Sequence, residues 1–210
     1  MGLYIGNNKY KVMIGNQRGS FVTKDSLLPA GYVQLEYIES SGTQYIDTRV
    51  VDLIGNVYEL SVLPISTTEP KRFSILGANM GININIVNLK WQIATFETTA
   101  SVDFNNFQKL VAERTPRERK LTINEKIFTT SVGNNTTLTF FIARGNGMDG
   151  GILPAKFSNC KIWRNDILVR NLIPARRNSD NVVGMYDLVN NTFYTNEGTG
   201  NFIAGPVVNN

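Results

Sequence analysis

Glu36 and Glu39 stand three residues apart in LEYIESSGTQYIDT (Leu35–Thr48), and Asp47 follows them. Carboxylates so grouped can cleave glycosides, provided two of them meet in one cleft at about 5 Å for retaining enzymes or somewhat more for inverting ones. Side chains alternate along an extended strand, which sets Leu35, Tyr37 and Glu39 on one face and Glu36 and Ile38 on the other. The two glutamates then point apart. The spacing favours a structural hairpin turned by Ser40-Ser41-Gly42 over a catalytic pair, and Glu36, Glu39, Asp47 and Glu59 are the acids to inspect in any groove.

The remaining chemistry is narrowed by what the chain lacks. It has no histidine, which removes the commonest general base, the commonest zinc ligand and every Ser-His or Cys-His nucleophile pair. Cys160 is the only cysteine, so an intrachain disulfide and a cysteine metal cluster are both excluded. GNGMDG (Gly145–Gly150) matches G-x-G-x-x-G after an apolar run, but that fingerprint holds a pyrophosphate only where a helix opens next. Gly151-Ile152-Leu153-Pro154 follows instead, and a turn-rich loop is expected. Asp149 within it is one calcium ligand where several are needed; calcium has no ligand motif here and no cofactor is expected.

Arg114, Arg117, Arg119 and Lys120 cluster in RTPRERK, yet Glu113 and Glu118 are interleaved and Pro116 implies a turn. A solvated turn is favoured over a phosphate-binding patch, and Arg176-Arg177 after Pro174 reads the same way. Aromatic rings are the usual platforms for sugars, and Trp91, Trp163, Tyr45 and Tyr186 are the candidate glycan contacts. LKWQIATF and CKIWRN are nevertheless strand patterns, in which a tryptophan more often fills a core.

The elements that must position these residues are strands. VQLEYIE, TQYIDT, NVYELSVL, RFSILGA, INIVN, LKWQIATF, FQKLVAER, RKLTI, EKIFTT, TLTFFIAR, AKFSNCKIW and ILVRNLI are separated by short Gly, Asn, Asp or Pro stretches, without a sustained helical period. The pattern predicts an all-β, antiparallel sandwich of jelly-roll type. Asn124-Glu125 lies between two apolar alternations as a hairpin turn with Glu where Gly would be favoured, which leaves its type open. A chain of 210 residues with 42% hydrophobic content suits one such domain. Its 21 basic and 17 acidic residues give a net charge of +4, too little to argue for nucleic acid. Ahead of the strands, LYIG and YKVMIG flank Asn7-Asn8 as a small hairpin, and QRGSFVTKDSLLPAG (17–31) reads as a linker. The start shows no signal-peptide run and no stretch is long enough to span a membrane.

LPAGYVQLEYIESSGTQYIDT resembles the opening of a group of proteins encoded by tailed bacteriophages and prophages, which carry a concanavalin A-like, laminin-G-like jelly roll. FQKLVAER, RKLTINEKIF, TLTFFIARGNG and AKFSNCKIWRNDILVRNLIPARR follow that domain's order of strand, small hairpin, strand and closing strand. GMYDLVNNTFYTNEGTGNFIAGP is similar to the group's tail end, so the likeness covers Leu28 to Pro206. The resemblance implies a non-enzymatic virion component, in the head as a decoration or fibre protein or in the tail or baseplate. Its parts would be an N-terminal arm and linker (1–27) and a sandwich (28–210). Ile5, Tyr10, Val12 and Ile14 would anchor the arm to capsid or tail proteins, and many copies on the particle could make weak contacts with host-surface glycans. Assembly in the bacterial cytoplasm fits the missing signal peptide. Two other readings stand beside this one: a free carbohydrate-binding module of a bacterial surface protein, and a glycoside hydrolase or lyase. No calcium or sugar ligand motif of the group is matched.

Overall fold

The computed structural model describes residues 27–65, 72–77, 82–85, 88–93, 96–131, 139–143 and 154–208. The expected arm, with Ile5, Tyr10, Val12 and Ile14, and the loop Gly145–Gly150 lie outside the described residues. Among the described residues every regular element is a strand. In chain order they are β1 (Tyr32–Gln34), β2 (Ile38–Ser40), β3 (Ile46–Val51), β4 (Asn56–Pro64), β5 (Arg72–Leu76), β6 (Ile82–Asn85), β7 (Lys90–Ile93) and β8 (Phe96–Ser101). There follow β9 (Gln108–Arg114), β10 (Glu118–Ile123), β11 (Lys126–Ser131), β12 (Thr139–Ile142), β13 (Ala155–Arg164), β14 (Ile167–Arg177), β15 (Val183–Asp187), β16 (Thr192–Tyr194) and β17 (Ile203–Ala204).

They form two antiparallel sheets. The larger runs β11-β10-β9-β4-β13-β14-β15-β16 with β1, β2 and β17 joined to it, and the smaller runs β3-β12-β5-β6-β7-β8. Alternation assigns the faces: on β4, Asn56, Tyr58, Leu60, Val62 and Pro64 are buried while Val57, Glu59, Ser61 and Leu63 are half-exposed. One core joins the sheets, with Ile46, Ile84, Trp91 and Ile142 from the smaller packing against Tyr58, Leu60, Leu110, Phe157 and Ile162 from the larger. Trp91 is fully buried, and its indole N–H donates to Gln108 Oε1 at 3.0 Å, tying β7 to β9 across the core. Gln108 Nε2 in turn donates to the Asp103 carbonyl at 2.9 Å, which fixes the amide so that its oxygen faces the indole.

Several expectations are corrected. VQLEYIE is not one alternating strand: Leu35 and Ile38 are both buried because the chain bends between β1 and β2. β14 pairs with β13 up to Leu172 and with β1 from Ala175, while β13 pairs with β2 over Ala155–Phe157. Residues 32–40 thus fill the fork where β13 and β14 part. LKWQIATF is likewise two strands, since Phe96 opens β8 and pairs back onto Ile93. Pro174 and Arg176-Arg177 sit inside a strand rather than at a turn. A strand residue points its N–H and C=O to the same side; the Pro174 carbonyl accepts from the Leu35 amide at 3.0 Å, so the missing donor faces the fork and the β15 ladder is intact. Asn124 and Glu125 have φ of 43° and 74°, both left-handed, which settles their turn as type I′.

A smaller apolar cluster covers the outer face of the larger sheet. Leu28 packs there on Ile173, Ala175 and Tyr186, with Tyr32, Leu188 and Phe193 around it. Tyr32 and Tyr186 meet edge to face at 4.9 Å between centroids.

Trp91→Phe should lower the unfolding free energy by about 2–4 kcal/mol, part from the cavity and part from the orphaned Gln108 oxygen. Adding Gln108→Leu should cost less than the sum of the two single changes, measured by urea denaturation. Strict additivity would mean that the indole bond does not link the sheets.

Candidate functional site

The four carboxylates singled out in the sequence do not converge. Glu39 on β2 and Glu59 on β4 lie on the outer face of the larger sheet, and each is held by a lysine: Lys156 Nζ at 3.8 Å and Lys109 Nζ at 2.8 Å. Asp47 faces outward from β3 on the opposite side of the molecule, and its Oδ1 accepts the Arg49 amide at 2.8 Å. Glu36 is exposed at the bend between β1 and β2. A depression of about 470 Å³ does open on the outer face, lined by Lys109, Val111, Thr122, Asn124 and Glu125. Glu125 is the acid in its wall. Among the described residues no three Cys, Asp or Glu side chains gather where a cation could be held.

The aromatic candidates are dispersed. Trp91 is sealed between the sheets and offers no ring face to a sugar, and Tyr186 is 4% exposed beneath Leu28. Both are corrected to core residues, because each lies on a strand position that packing claims. Tyr45 is half-buried against the main core. Trp163, half-buried on β13, alternates with inward-facing Ile162 and therefore turns to the outer face; it is the candidate whose ring is placed to meet a ligand there.

The stretch that first suggested catalysis is a clasp. Asn196 Oδ1 accepts the amides of Tyr45 at 3.0 Å and Gly198 at 2.7 Å, while its Nδ2 donates to the Gly200 carbonyl at 2.8 Å. Gln44 Nε2 and Thr43 Oγ1 donate to the Thr199 carbonyl at 3.1 and 2.9 Å. Gln44 Oε1 gathers the Ser41 amide at 2.8 Å and the Ser40 hydroxyl at 3.1 Å. Backbone bonds from Glu197 to Tyr45 and from Thr199 to Thr43 complete the joint. A Cβ on Gly198 would collide with the Thr43 carbonyl oxygen, and Gly200 holds φ at 73° with the Gln44 amide against it, so both glycines are required. ESSGTQY and TNEGTGN are therefore one polar unit, and their hydrogen-bonding groups are largely consumed by each other.

At the end of the sandwich beside β3 lies a buried charged cluster that the sequence reading missed. Asp52 and Arg114 have fully buried side chains, with Nη1 to Oδ2 at 3.4 Å. Tyr58 donates its hydroxyl to Asp52 Oδ1 at 2.6 Å and accepts from Asn56 Nδ2 at 2.8 Å. Arg164 donates to Asn56 Oδ1 at 3.3 Å and to the Val51 carbonyl at 3.0 Å. Burial first, then the Asp52 charge and its hydrogen bond, push the Tyr58 hydroxyl well above the ordinary tyrosine value, against weaker opposition from Asn56 and Arg164. A second buried acid, Asp187, accepts the Asn171 and Val189 amides at 2.9 and 3.0 Å, and Arg170 lies 3.5 Å from its other oxygen. Arg170 also reaches the Thr48 carbonyl on β3 at 3.2 Å, so each arginine braces one sheet against the other. Nothing local marks Asp52 or Asn196 in the sequence, because Arg114 and Tyr45, which they meet, lie 62 and 151 residues away along the chain.

Compared with protein-family models and with curated proteins, the chain gives no match.

Asn196→Ala should cost about 1–3 kcal/mol by leaving the Tyr45 amide without an acceptor, and hydrogen exchange at that amide should quicken. Gly198→Ala should cost a similar amount through overlap with Thr43. Parent-like stability in both would remove the clasp from the account.

Tyr58 and Cys160 set an alkaline limit. Burial first, then the charges of Asp187 and Glu59, push the Cys160 thiol up as well. A folded-state pKa above the unfolded one gives stability that is complete below the unfolded value and drains away above it. Stability should therefore fall above the ordinary thiol value of 9.0 and more steeply above the tyrosine value of 10.0, by about 1.4 kcal/mol per pH unit for each group. Urea titrations between pH 8 and about 11 measure the slope, and Tyr58→Phe should flatten its upper part. A parent profile level through this range would contradict the burial of both groups.

Proposed function

We propose that this chain is a structural component of a bacteriophage particle, a head decoration or fibre protein or a part of the tail or baseplate. In this reading residues 1–27 hold it to the particle and the sandwich is displayed outward as a concanavalin A-like, laminin-G-like jelly roll. The observation that carries the reading is the clasp. The opening and closing motifs on which the phage resemblance rests are far apart in sequence, yet they bond to each other, so the likeness is to one folded unit rather than to two unrelated stretches. The jelly-roll type is supported by the path of the chain, which passes between the sheets at β2–β3, β3–β4, β4–β5, β8–β9, β11–β12 and β12–β13 instead of forming two separate meanders.

Display without catalysis is supported by the fate of the acids. Glu39 and Glu59 are tied to lysines, and Asp47 faces away on the other sheet. Surface ion pairs of this kind contribute about 0–1 kcal/mol and keep an outer face hydrated. Adhesion to host-surface glycans would use that outer face, with Trp163 as the ring, and repetition of the chain on the particle would raise weak single-site affinity.

Mass spectrometry of gradient-purified particles from a producing culture should find the chain at many copies per particle. Deleting residues 1–26, which leaves Leu28 on its patch, should move the folded sandwich into the unbound fraction. Particles devoid of the chain, or attachment unaffected by the deletion, would overturn the reading. Glycan binding by a free monomer without particle association would favour the carbohydrate-binding module instead.

A further inference from the structure

Among the described residues, the inward face at the Asp52 end carries Arg114, Arg119 and Arg164 beside one carboxylate, that of Asp52. Across the larger sheet Arg164 is opposite Asn56 and Arg114 is opposite Arg119, and the Gly55 amide, donating to the Arg114 carbonyl, joins the two pairs into one row. Alternation explains how a basic run becomes such a row. In RTPRERK, Lys120 turns outward to Glu113 at 3.1 Å, while Arg119 shares its face with buried Leu121 and Ile123. Thr115 ties the turn between them, its hydroxyl accepting the Arg117 and Glu118 amides at 3.2 and 3.0 Å. The expected solvated turn is present, and the inward arginines are a separate consequence of the same stretch.

Asp52 is already engaged by Arg114 and Tyr58. Tyr58, held neutral by burial and by Asp52, supplies no second negative charge. Arg164 bonds to neutral oxygens, those of Asn56 and Val51. Arg119 is half-buried, and its shielded Nε has no hydrogen-bond partner among the described residues. Burial, then the like charge of Arg114, draws Arg119 below the ordinary arginine value, with Asp52 partly offsetting them. Like charges at directly opposed strand positions are destabilising, and a guanidinium presents a planar fork of donors suited to two oxygens at once.

We propose that Arg119, with Arg114 and Arg164 behind it, binds a small oxyanion at the rim between the two sheets, either a free inorganic ion or the acidic group of a saccharide. The exposed part of the Arg119 guanidinium donates to the anionic oxygens, and the bound charge relieves its opposition to Arg114. Half-exposure gives the ion a way in. The site is distinct from the depression beside Glu125 on the outer face, and it does not depend on whether the sandwich is carried on a particle.

The test uses the full chain at constant ionic strength, with inorganic phosphate, sulfate or glucuronate exchanged for chloride. At least one of the three should raise the thermal midpoint by several degrees along a saturating curve, while chloride does not. Response to phosphate or sulfate alone identifies a free ion, and response to glucuronate identifies an acidic saccharide. Arg119→Gln should abolish the saturating rise yet be no less stable than the parent in chloride, because it removes a charge opposed to Arg114. Lys126→Gln, an equal charge change on the outer strand β11, should leave the rise intact. The proposal is overturned by responses indistinguishable from chloride or by an unchanged response in Arg119→Gln. A loss of stability in that variant without oxyanion would overturn it too, by making Arg119 a structural strut.

Discussion

The larger sheet is complete only when residues 34–39 pair with 203–208, and most of the structure depends on that closure. The Glu36 amide reaches the Pro206 carbonyl, Gly205 reaches Tyr37 and Val208 reaches Gln34, while the Asn196 clasp fastens the adjoining loops. Joining segments about 170 residues apart costs roughly 4–5 kcal/mol in loop entropy, because the cost grows only with the logarithm of length. Burying Leu35, Ile38 and Phe202 in the core returns about 1.5–3 kcal/mol each, and the clasp bonds add about 0.5–1.5 kcal/mol apiece. Burial therefore outweighs closure, and it does so only if both segments arrive together. That makes the sandwich cooperative from end to end.

The same alternation that builds the core sorts the charges by consequence. Lysine–glutamate pairs fall on the outer face of the larger sheet, where solvent screening leaves them worth little. Asp52 and Arg114 fall inside, where removing one member of a buried ion pair costs about 3–5 kcal/mol. Asp187 follows the same logic with two backbone amides and Arg170 around it. The inward charges are thus braces between the sheets.

Trp163 and Trp91 illustrate how far a residue type alone can be trusted. Both lie in apolar strand patterns, yet one faces solvent across the outer surface and the other lies in the core with its N–H met by Gln108. A ring platform and a core plug are the same side chain on opposite faces of a sheet. One residue of register separates them.

Much of this molecule was written locally. Period-2 alternation with short Gly, Asn and Pro breaks was enough for an all-β antiparallel architecture, for strands such as Asn56–Pro64 and Gln108–Arg114, and for the Asn124-Glu125 hairpin. β8, β15, β16 and β17 were not read as separate strands in the sequence and emerged only in the structure. Tertiary structure alone decided that Leu35 and Ile38 share the core, that Pro174 sits mid-strand beside the fork, and that Ser40–Tyr45 closes on Asn196–Gly200. It also placed Asp52 against Arg114. Alternation is a property of neighbouring residues and is legible in any short window, whereas closure, forks and buried ion pairs depend on which distant strands come to lie side by side.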